Sequence, residues 1–349
     1  MKVAFASCAR IQDLALQPAW DDIRECQPDV LLLLGDTIYL DRNDHDNPRM
    51  LAEALRSLYE RQFAQPQFAA LLDDLHGRKG RLIASYDDHD FLGDTRCGGD
   101  VDPLLREAAR QEFIRAFRPT RNGPEVYSLH QLGCVDLLLL DVRFHRRAAP
   151  SMDRDAVLGH EQWRWLESAV TNSVATYLLV ASGTTLHRFG NESWEQHPTA
   201  FQRLRALLAL RPGALVVSGD LHRNAVCDDS GVIEIVSSGV ARIGAVFKAE
   251  RRNWGLLHFA AREPAGDTAW FEGPGPPGLR GVLRHMVLAM MSGVCVHLAA
   301  ASQCSERLRV GRPERRRART RHLTTRHDTT RQADGHGQKF DRGGTRRSC

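Results

Sequence analysis

The chain has 349 residues, 42% of them hydrophobic, and a formal net charge of +4. It is long enough to bury one large core or two smaller ones, and its composition is ordinary for a globular protein. Its eight cysteines form no CxxC pair and follow no regular spacing, which argues against a zinc ribbon and a disulfide framework. The charge is uneven, because residues 281–349 carry 15 Lys and Arg against 5 Asp and Glu, whereas the first 280 residues carry 32 against 38.

From the N-terminus onward, short β-rich runs alternate with longer helical patterns. The pattern predicts strands at 2–6, 29–34, 81–85, 135–141, 176–181, 214–218 and 232–236, and helices at 49–63, 103–117, 160–170 and 198–210. Such alternation is typical of a layered α/β domain whose strands are covered on both faces. The chain opens directly on a strand pattern, without a basic segment and a long apolar run, so we expect no signal peptide and a cytoplasmic location.

A Pro/Gly-rich segment at 272–278 can continue neither a helix nor a strand, and it predicts a domain over residues 1–272 followed by a tail over 273–349. The apolar stretch 286–302 is interrupted by His297 and falls short of the roughly 20 residues of a membrane span. The rest of the tail is rich in arginine and poor in apolar residues, so we expect it to be disordered. Its charge would allow non-specific binding of nucleic acid or anionic lipid, and no specific protein partner is predicted.

Four apolar runs end abruptly in acidic or histidine residues. Asp36 follows the run 31–34, the DDHD segment 87–90 follows 82–84, Asp141 follows 137–140, and Asp220 and His222 follow 215–217. Buried carboxylates need a cation or hydrogen bonds to compensate their charge, and ligands of open α/β sheets bind at the carboxyl ends of the strands. The mixture of oxygen, imidazole and thiol groups predicts a site that holds both hard and transition-metal ions.

Six motifs in this order resemble the PhoD-like metallophosphatases (alkaline phosphatase D type) of the metallophosphoesterase superfamily: FASC at 5–8, GDTIY at 35–39, YDDHD at 86–90, LDVR at 140–143, LG at 158–159 with QWRWL at 162–166, and SGDLH at 218–222. The resemblance runs from the first strand to about residue 260. It implies an αββα sandwich, in which two β-sheet layers are flanked by helices. It also implies a multinuclear iron and calcium centre, with manganese, zinc or magnesium as alternatives, that cleaves phosphate esters.

By position, the resemblance implies that the metal ligands are Cys8, Asp36, Tyr59, Asp94, Asp220 and His222. Asp94 stands where the family has an asparagine, and this departure adds negative charge. Tyr39 is interpreted equally as a packing residue or a ligand. His89 and Arg143 are the candidate catalytic residues, although Asp87 or Asp88 can simply orient His89, and Arg143 can pair with Asp141 as readily as with phosphate. Glu192 and Glu195, around Trp194, resemble an acidic-aromatic segment that borders the family's site.

The resulting hypothesis is a metal-dependent phosphoric ester hydrolase in which a metal-bound hydroxide attacks phosphorus. In it, Arg143 neutralises charge on phosphate and His89 assists the leaving oxygen. The substrate is a small phosphate ester, either a monoester or a nucleotide or lipid diester. The alternative is a degenerate, non-catalytic module that the basic tail attaches to nucleic acid or membrane. A nucleotide-cofactor oxidoreductase fits less well, because no GxGxxG motif follows the first strand.

Overall fold

The structure is a computed structural model that describes residues 1–41, 46–117, 125–187, 192–229, 232–244 and 250–259, together with the backbone of three short strands farther along the chain. The strands are β1 (Lys2–Ala6), β2 (Val30–Leu34), β3 (Arg81–Ser85), β4 (Ser128–Leu132), β5 (Val135–Leu139), β6 (Tyr177–Ser182), β7 (Leu215–Ser218), β8 (Asn224–Asp229), β9 (Val232–Ser237), β10 (Arg242–Ile243), β11 (Glu250–Arg251), β12 (Trp254–Phe259), β13 (Phe271–Glu272), β14 (Val294–Ala299) and β15 (Arg307–Leu308). The helices are α1 (Ala19–Glu25), α2 (Pro48–Phe63), α3 (Pro66–Gly77), α4 (Asp88–Phe91), α5 (Pro103–Ala116), α6 (Gly159–Asn172) and α7 (Pro198–Leu208).

Two large sheets form the centre of the fold. The first has the order β14-β12-β1-β2-β3, in which β1, β2 and β3 are parallel and β12 and β14 run antiparallel. The second has the order β4-β5-β6-β7-β9-β8, in which β5, β6, β7 and β9 are parallel and the two outer strands run antiparallel. The parallel strands of each sheet therefore end at one common edge.

Alternating side chains explain why the sheets pack face to face. One core lies between them and contains Val3, Phe5, Leu32 and Leu34 of the first sheet, packed with residues such as Leu137 of the second. The intervening residues of the first sheet pack under α1, α2, α3 and α5, and those of the second pack under α6 and α7. Strands buried on both faces are continuously apolar, as the sequence shows. The predicted αββα sandwich is confirmed.

All seven predicted strands and all four predicted helices are present, with ends that agree to within two residues. The pattern missed α1, α3 and α4, and the strands β4, β8 and β12. Strand β4 alternates between exposed and partly buried residues at the sheet edge, so it lacks the continuous apolar run of the central strands. α4 has only four residues, too few for a helical period to be visible in the sequence.

Beyond residue 260 the structure describes only three short strands. One of them, β14, pairs along the full length of β12, although it lies in the segment that the sequence analysis assigned to the tail. No described helix is long and apolar enough to cross a bilayer. Residues 309–349, including the Arg-rich segment, lie outside the described residues. The domain boundary at 272, the disorder of the tail and its binding of nucleic acid or lipid remain predictions.

Candidate metal centre

The polar clusters of the sequence meet at the common edge where the parallel strands of both sheets end. Cys8 follows β1, Asp36 follows β2, the segment 87–90 follows β3, and residues 219–222 follow β7. The two sheets touch here, because Ser85 Oγ at the end of β3 donates to the carbonyl of Leu140 at 2.8 Å. The convergence that the sequence predicts is therefore produced by two facing sheets rather than by one.

Four of the candidate ligands have left-handed backbone conformations. The φ angles are 62° at Cys8, 53° at Asp36, 73° at Asp220 and 53° at His222, and they account for four of the seven non-glycine residues with positive φ in the described part of the chain. Such a conformation costs on the order of 1–3 kcal/mol in a residue with a side chain and is concentrated at functional sites. The backbone is thus strained at the positions that aim these side chains into the site.

One group of ligand atoms consists of Cys8, Asp36 and His222, which lie within 4.8 Å of one another. Cys8 Sγ lies 3.3 Å from Asp36 Oδ2 and accepts a hydrogen bond from Ser238 Oγ at 3.1 Å. The Tyr39 hydroxyl donates to the same Asp36 oxygen at 3.0 Å and lies 3.1 Å from His222 Nε2. Thiol, carboxylate, imidazole and phenol therefore converge, which is a donor set suited to a transition metal.

A second group consists of Asp36, Asp88 and His89, again within 4.8 Å of one another. Asp36 belongs to both groups and is the residue that they share. Asp220 belongs to neither group, but its charge contributes to the raised pKa values of both Asp36 and Cys8. It lies beside the two groups rather than inside them.

The electrostatics of the centre favour a bound cation. Burial raises the pKa of Asp36 far above its usual range, and the charges of Asp88 and Asp87 raise it further. Asp36 Oδ1 and His89 Nδ1 are buried without a hydrogen-bond partner among the described residues. Burial also lowers the pKa of His222 to about 4, which leaves the neutral imidazole that binds metals. Clustered carboxylates, and buried oxygen and nitrogen atoms without a hydrogen-bond partner, are suited to holding metal ions.

The structure does not support Asp94 as a ligand. Asp94 is exposed in the turn after α4 and belongs to neither ligand group, whereas Asp88 is buried and belongs to one. Asp88 is held in place by the backbone amides of His89 at 3.0 Å and Thr95 at 2.7 Å. The pKa of Asp88 is lowered, because the charges of Arg143 and His89 and these hydrogen bonds outweigh its burial. Asp88, which the sequence predicts only as a residue that can orient His89, is thus the carboxylate of this segment that lies within a ligand group.

Among the described residues, the hydroxyl of Tyr59 contacts Asp90 rather than Cys8 or Asp36. Its hydroxyl lies 3.4 Å from Asp90 Oδ1, and its ring packs edge-on against Phe113 and Phe117 in the core under the first sheet. Tyr39 is the phenol that contacts Asp36 and His222. A signal was available in the sequence, since Tyr39 ends the same GDTIY motif that contains Asp36.

Arg143 and His89 occupy different environments. The guanidinium of Arg143 is fully buried, pairs with Asp87, and donates to both carboxylate oxygens of Glu192 at 3.0 and 3.3 Å. It therefore compensates the acidic loop and presents no open face to a phosphate. Asp141 does not pair with this guanidinium; it accepts hydrogen bonds from the Tyr86 hydroxyl and from backbone amides. The ring of His89 lies against the ring of Tyr39, tilted by 34° with 4.1 Å between the centroids, so His89 is in contact with the phenol of the first ligand group.

Glu192 borders the centre as the acidic-aromatic segment predicted, through its ion pair with Arg143. Trp194 is buried and packs edge-on against Trp163 in the core under α6, so the tryptophan of this segment has a structural role. Sequence reasoning did not identify Thr184, whose hydroxyl donates to Asp87 at 3.0 Å. Nothing in its sequence context marks it, because it follows β6 without an acidic or histidine neighbour.

Solved structures of other proteins resemble this chain in fold. The chain is similar to a solved structure of PhoD, with 21% identity, a TM-score of 0.53, and coverage of 68% of this chain and 56% of that chain. It thus spans little more than half of that PhoD structure, and the likeness concerns the fold. A dimetal phosphatase from Danio rerio aligns with 14% identity over 74% of this chain and 94% of that one, at a TM-score of 0.45. GAP50 of Plasmodium, described as the anchor in the inner membrane complex, aligns with 13% identity over 74% of this chain and 80% of that one, at a TM-score of 0.43.

No curated protein matches the sequence of this chain. The sequence model of the PhoD-like phosphatases, in contrast, matches residues 3–245, which include both ligand groups and the strands that carry them. The chain belongs to the PhoD-like phosphatase family.

Proposed function

We propose that this protein is a metal-dependent phosphoester hydrolase. The observation that carries the proposal is the position of Asp36, whose carboxylate is common to the two ligand groups. Shared carboxylates are the structural element with which two-metal hydrolases hold a pair of cations against one phosphate. The family match supports the same reaction class.

Cys8, Tyr39, Asp36 and His222 would hold one cation, and Asp36 and Asp88 would hold the other. The thiol and phenol of the first set favour iron, and the carboxylates of the second favour calcium or another hard divalent ion. When bound, such ions supply Lewis-acid polarisation of the phosphate and a lowered pKa for a coordinated water. The chain's own residues then fix the charge and the proton transfers around the ester.

His89 is the residue best placed to act on the leaving oxygen. Its ring lies against Tyr39 at the centre, and its Nδ1 has no partner among the described residues. A positioned imidazole that donates a proton to the leaving oxygen typically contributes two to four orders of magnitude. Arg143 acts one step farther away: through Asp87 and Asp88 it keeps the loop that carries His89 in a fixed position.

The proposal is tested by removing the shared carboxylate. We expect Asp36→Asn and His222→Ala to lower the turnover of p-nitrophenyl phosphate and bis-p-nitrophenyl phosphate by at least about a hundredfold, since they remove ligands rather than their supports. Asp94→Ala is the matched control, because it removes every ligand atom at this exposed position, and it should keep the wild-type rate. Thermal unfolding verifies that all three variants are folded. Full activity of Asp36→Asn would refute the proposal, and loss of activity in Asp94→Ala would restore Asp94 as a ligand.

Elemental analysis separates the hydrolase from the degenerate binding module. A hydrolase with this centre should contain about two or more metal ions per chain, and a chelator that removes them should abolish turnover. A protein with less than one metal ion per chain and no turnover of either ester would favour the binding module. Comparison of the two esters with one preparation gives the preference for monoesters or diesters.

A further inference from the structure

Two arginine side chains border the metal centre beside Tyr39. The guanidinium carbon of Arg242 lies 4.7 Å from the centre of the Tyr39 ring, and that of Arg10 lies 5.6 Å from it. The hydroxyl of the same ring contacts Asp36 and His222. A single tyrosine side chain therefore connects both guanidiniums with the first ligand group.

Backbone contacts fix the position of both arginines relative to this group. Arg10 comes two residues after Cys8, and its amide donates to the carbonyl of Ala241 at 2.9 Å. A β-bridge joins Ala9 to the same Ala241, and Arg242 is the next residue along the chain. The two arginines thus lie on adjacent backbone segments, close in the chain to a candidate ligand.

Two carboxylates neutralise these cations, and one of the carboxylates is weakly held. Asp13 accepts a hydrogen bond from Arg242 Nη1 at 2.9 Å and lies 3.4 Å from Arg10 Nη1, so it serves both guanidiniums. Asp41 pairs with Arg10, but its side chain is 51% exposed. Exposed ion pairs contribute at most about 1 kcal/mol. Another anion can therefore replace Asp41 at Arg10.

One edge of the Arg242 guanidinium carries no hydrogen bond within the described part of the chain. Its Nη1 is engaged by Asp13, whereas its Nε has no partner and its Nη2 donates to no described residue. Both arginines are partly exposed, as are His89 and His222 at the centre. Paired N–H groups on one edge of a guanidinium match two oxygens of a phosphate.

We propose that Arg10 and Arg242 bind a second phosphate group of the substrate, so that the protein acts on phosphate esters whose alcohol part carries another phosphate. The inference rests on the proposed function, because it assumes that the ester is cleaved at the candidate metal centre. The second phosphate takes the Nε and Nη2 edge of Arg242 and replaces the exposed Asp41 at Arg10.

The test uses two nucleotides as competitors of chromogenic ester turnover by the metal-loaded, full-length protein. Adenosine 5′-monophosphate and adenosine 3′,5′-bisphosphate differ only in the second phosphate. We expect the inhibition constant of the bisphosphate to be lower by about tenfold or more, which corresponds to one hydrogen bond between charged groups. Competition measures binding at the centre whether or not either nucleotide is itself hydrolysed.

Four variants connect this preference with the arginines. Arg10→Gln and Arg242→Gln should bring the two inhibition constants closer together, mainly by weakening the bisphosphate. Asp41→Asn should separate them further, because it frees Arg10, and such a gain cannot come from a folding defect. Arg252→Gln is the control, since it also removes one guanidinium, but one that pairs with Glu250 at 3.0 Å. It should keep the wild-type ratio of the two constants.

Equal inhibition constants of the two nucleotides in the wild-type protein would overturn the inference and leave the proposed function intact. A bisphosphate that does not compete, or a folded Arg242→Gln variant with the wild-type ratio, would overturn it in the same way. Absence of turnover of both p-nitrophenyl esters would instead refute the proposed function, and this inference with it.

Discussion

Two tyrosine hydroxyls lie next to buried aspartates in this protein, and their surroundings give them different roles. Tyr39 contacts Asp36 and His222 within the ligand group, whereas Tyr59 contacts Asp90 behind it and is enclosed by phenylalanine rings. Burial raises the pKa of both phenols. A cation held by Asp36 and His222 would lie beside Tyr39, whose hydroxyl contacts both residues, and would lower the pKa of this phenol.

Matched substitutions distinguish these roles. We expect Tyr39→Phe to lower phosphoester turnover by about ten- to a hundredfold and to reduce the amount of bound metal, because it removes a donor of the group. We expect Tyr59→Phe to leave turnover and bound metal unchanged. It should lower the free energy of unfolding by about 1 kcal/mol, because a buried hydrogen bond is lost. Turnover, elemental analysis and denaturant unfolding measure the three quantities. The reverse pattern would return the ligand role to Tyr59.

At the scale of the element, the centre depends on loops that leave the strand ends through glycine. Gly35 has a φ of 83° and lies directly against the loop after β3, so that a Cβ there would meet Asp87 Cβ at 2.5 Å and the Asp87 amide nitrogen at 2.6 Å. A similar contact occurs at Gly219, where a Cβ would meet the Leu34 carbonyl at 2.7 Å. The Gly-Asp pairs of the sequence are therefore places where two strand-end loops touch.

Gly35→Ala tests this close approach. The added methyl group meets backbone and must also adopt an unfavourable φ, so we expect a loss of about 2–4 kcal/mol in the free energy of unfolding. Gly77→Ala, at the end of α3, is the control, because nothing lies within 4 Å of its Cβ position and alanine favours the helix. It should be neutral or stabilise by up to about 1 kcal/mol. Denaturant unfolding measures the free energy of unfolding of both variants. Equal changes in the two variants would contradict this account.

At the scale of the whole molecule, the metal centre needs both sheets. The first sheet supplies Cys8, Asp36 and Asp88, and the second supplies His222 and the Arg143 that compensates the acidic loop. The outer edge of the first sheet is β14, which pairs with every residue of β12. β12 in turn pairs with β1, and Cys8 follows the end of β1. β14 therefore supports, through β12, the strand that positions Cys8.

Truncation tests the contribution of β14. A chain that ends after residue 302 keeps this strand, whereas a chain that ends after residue 272, the predicted domain boundary, leaves β12 as an open edge. We expect the shorter chain to lose about 2 kcal/mol, which lowers its melting temperature by roughly 4–8 °C, and to aggregate more readily. Calorimetry and light scattering compare the two. Equal melting temperatures would support a domain that is complete at 272.

The sequence by itself determined the layered α/β architecture, the central strands and the residues at their ends. Continuous apolar runs that stop at Asp or His are visible without a structure, because burial on both faces and a compensated charge leave a local signature. Six ordered motifs also indicated the family, which the comparisons confirm.

The tertiary structure decided which of the candidates meet. Tyr39 and Tyr59 look alike in the sequence, as do Asp88 and Asp94, since their contacts depend on packing between elements far apart in the chain. The pairing of Arg143 with Asp87 and Glu192, and that of His187 with Glu234, likewise arise from loops across the sheets. The sequence shows which buried polar residues require a partner to compensate their burial. Only the fold determines which distant residue is that partner.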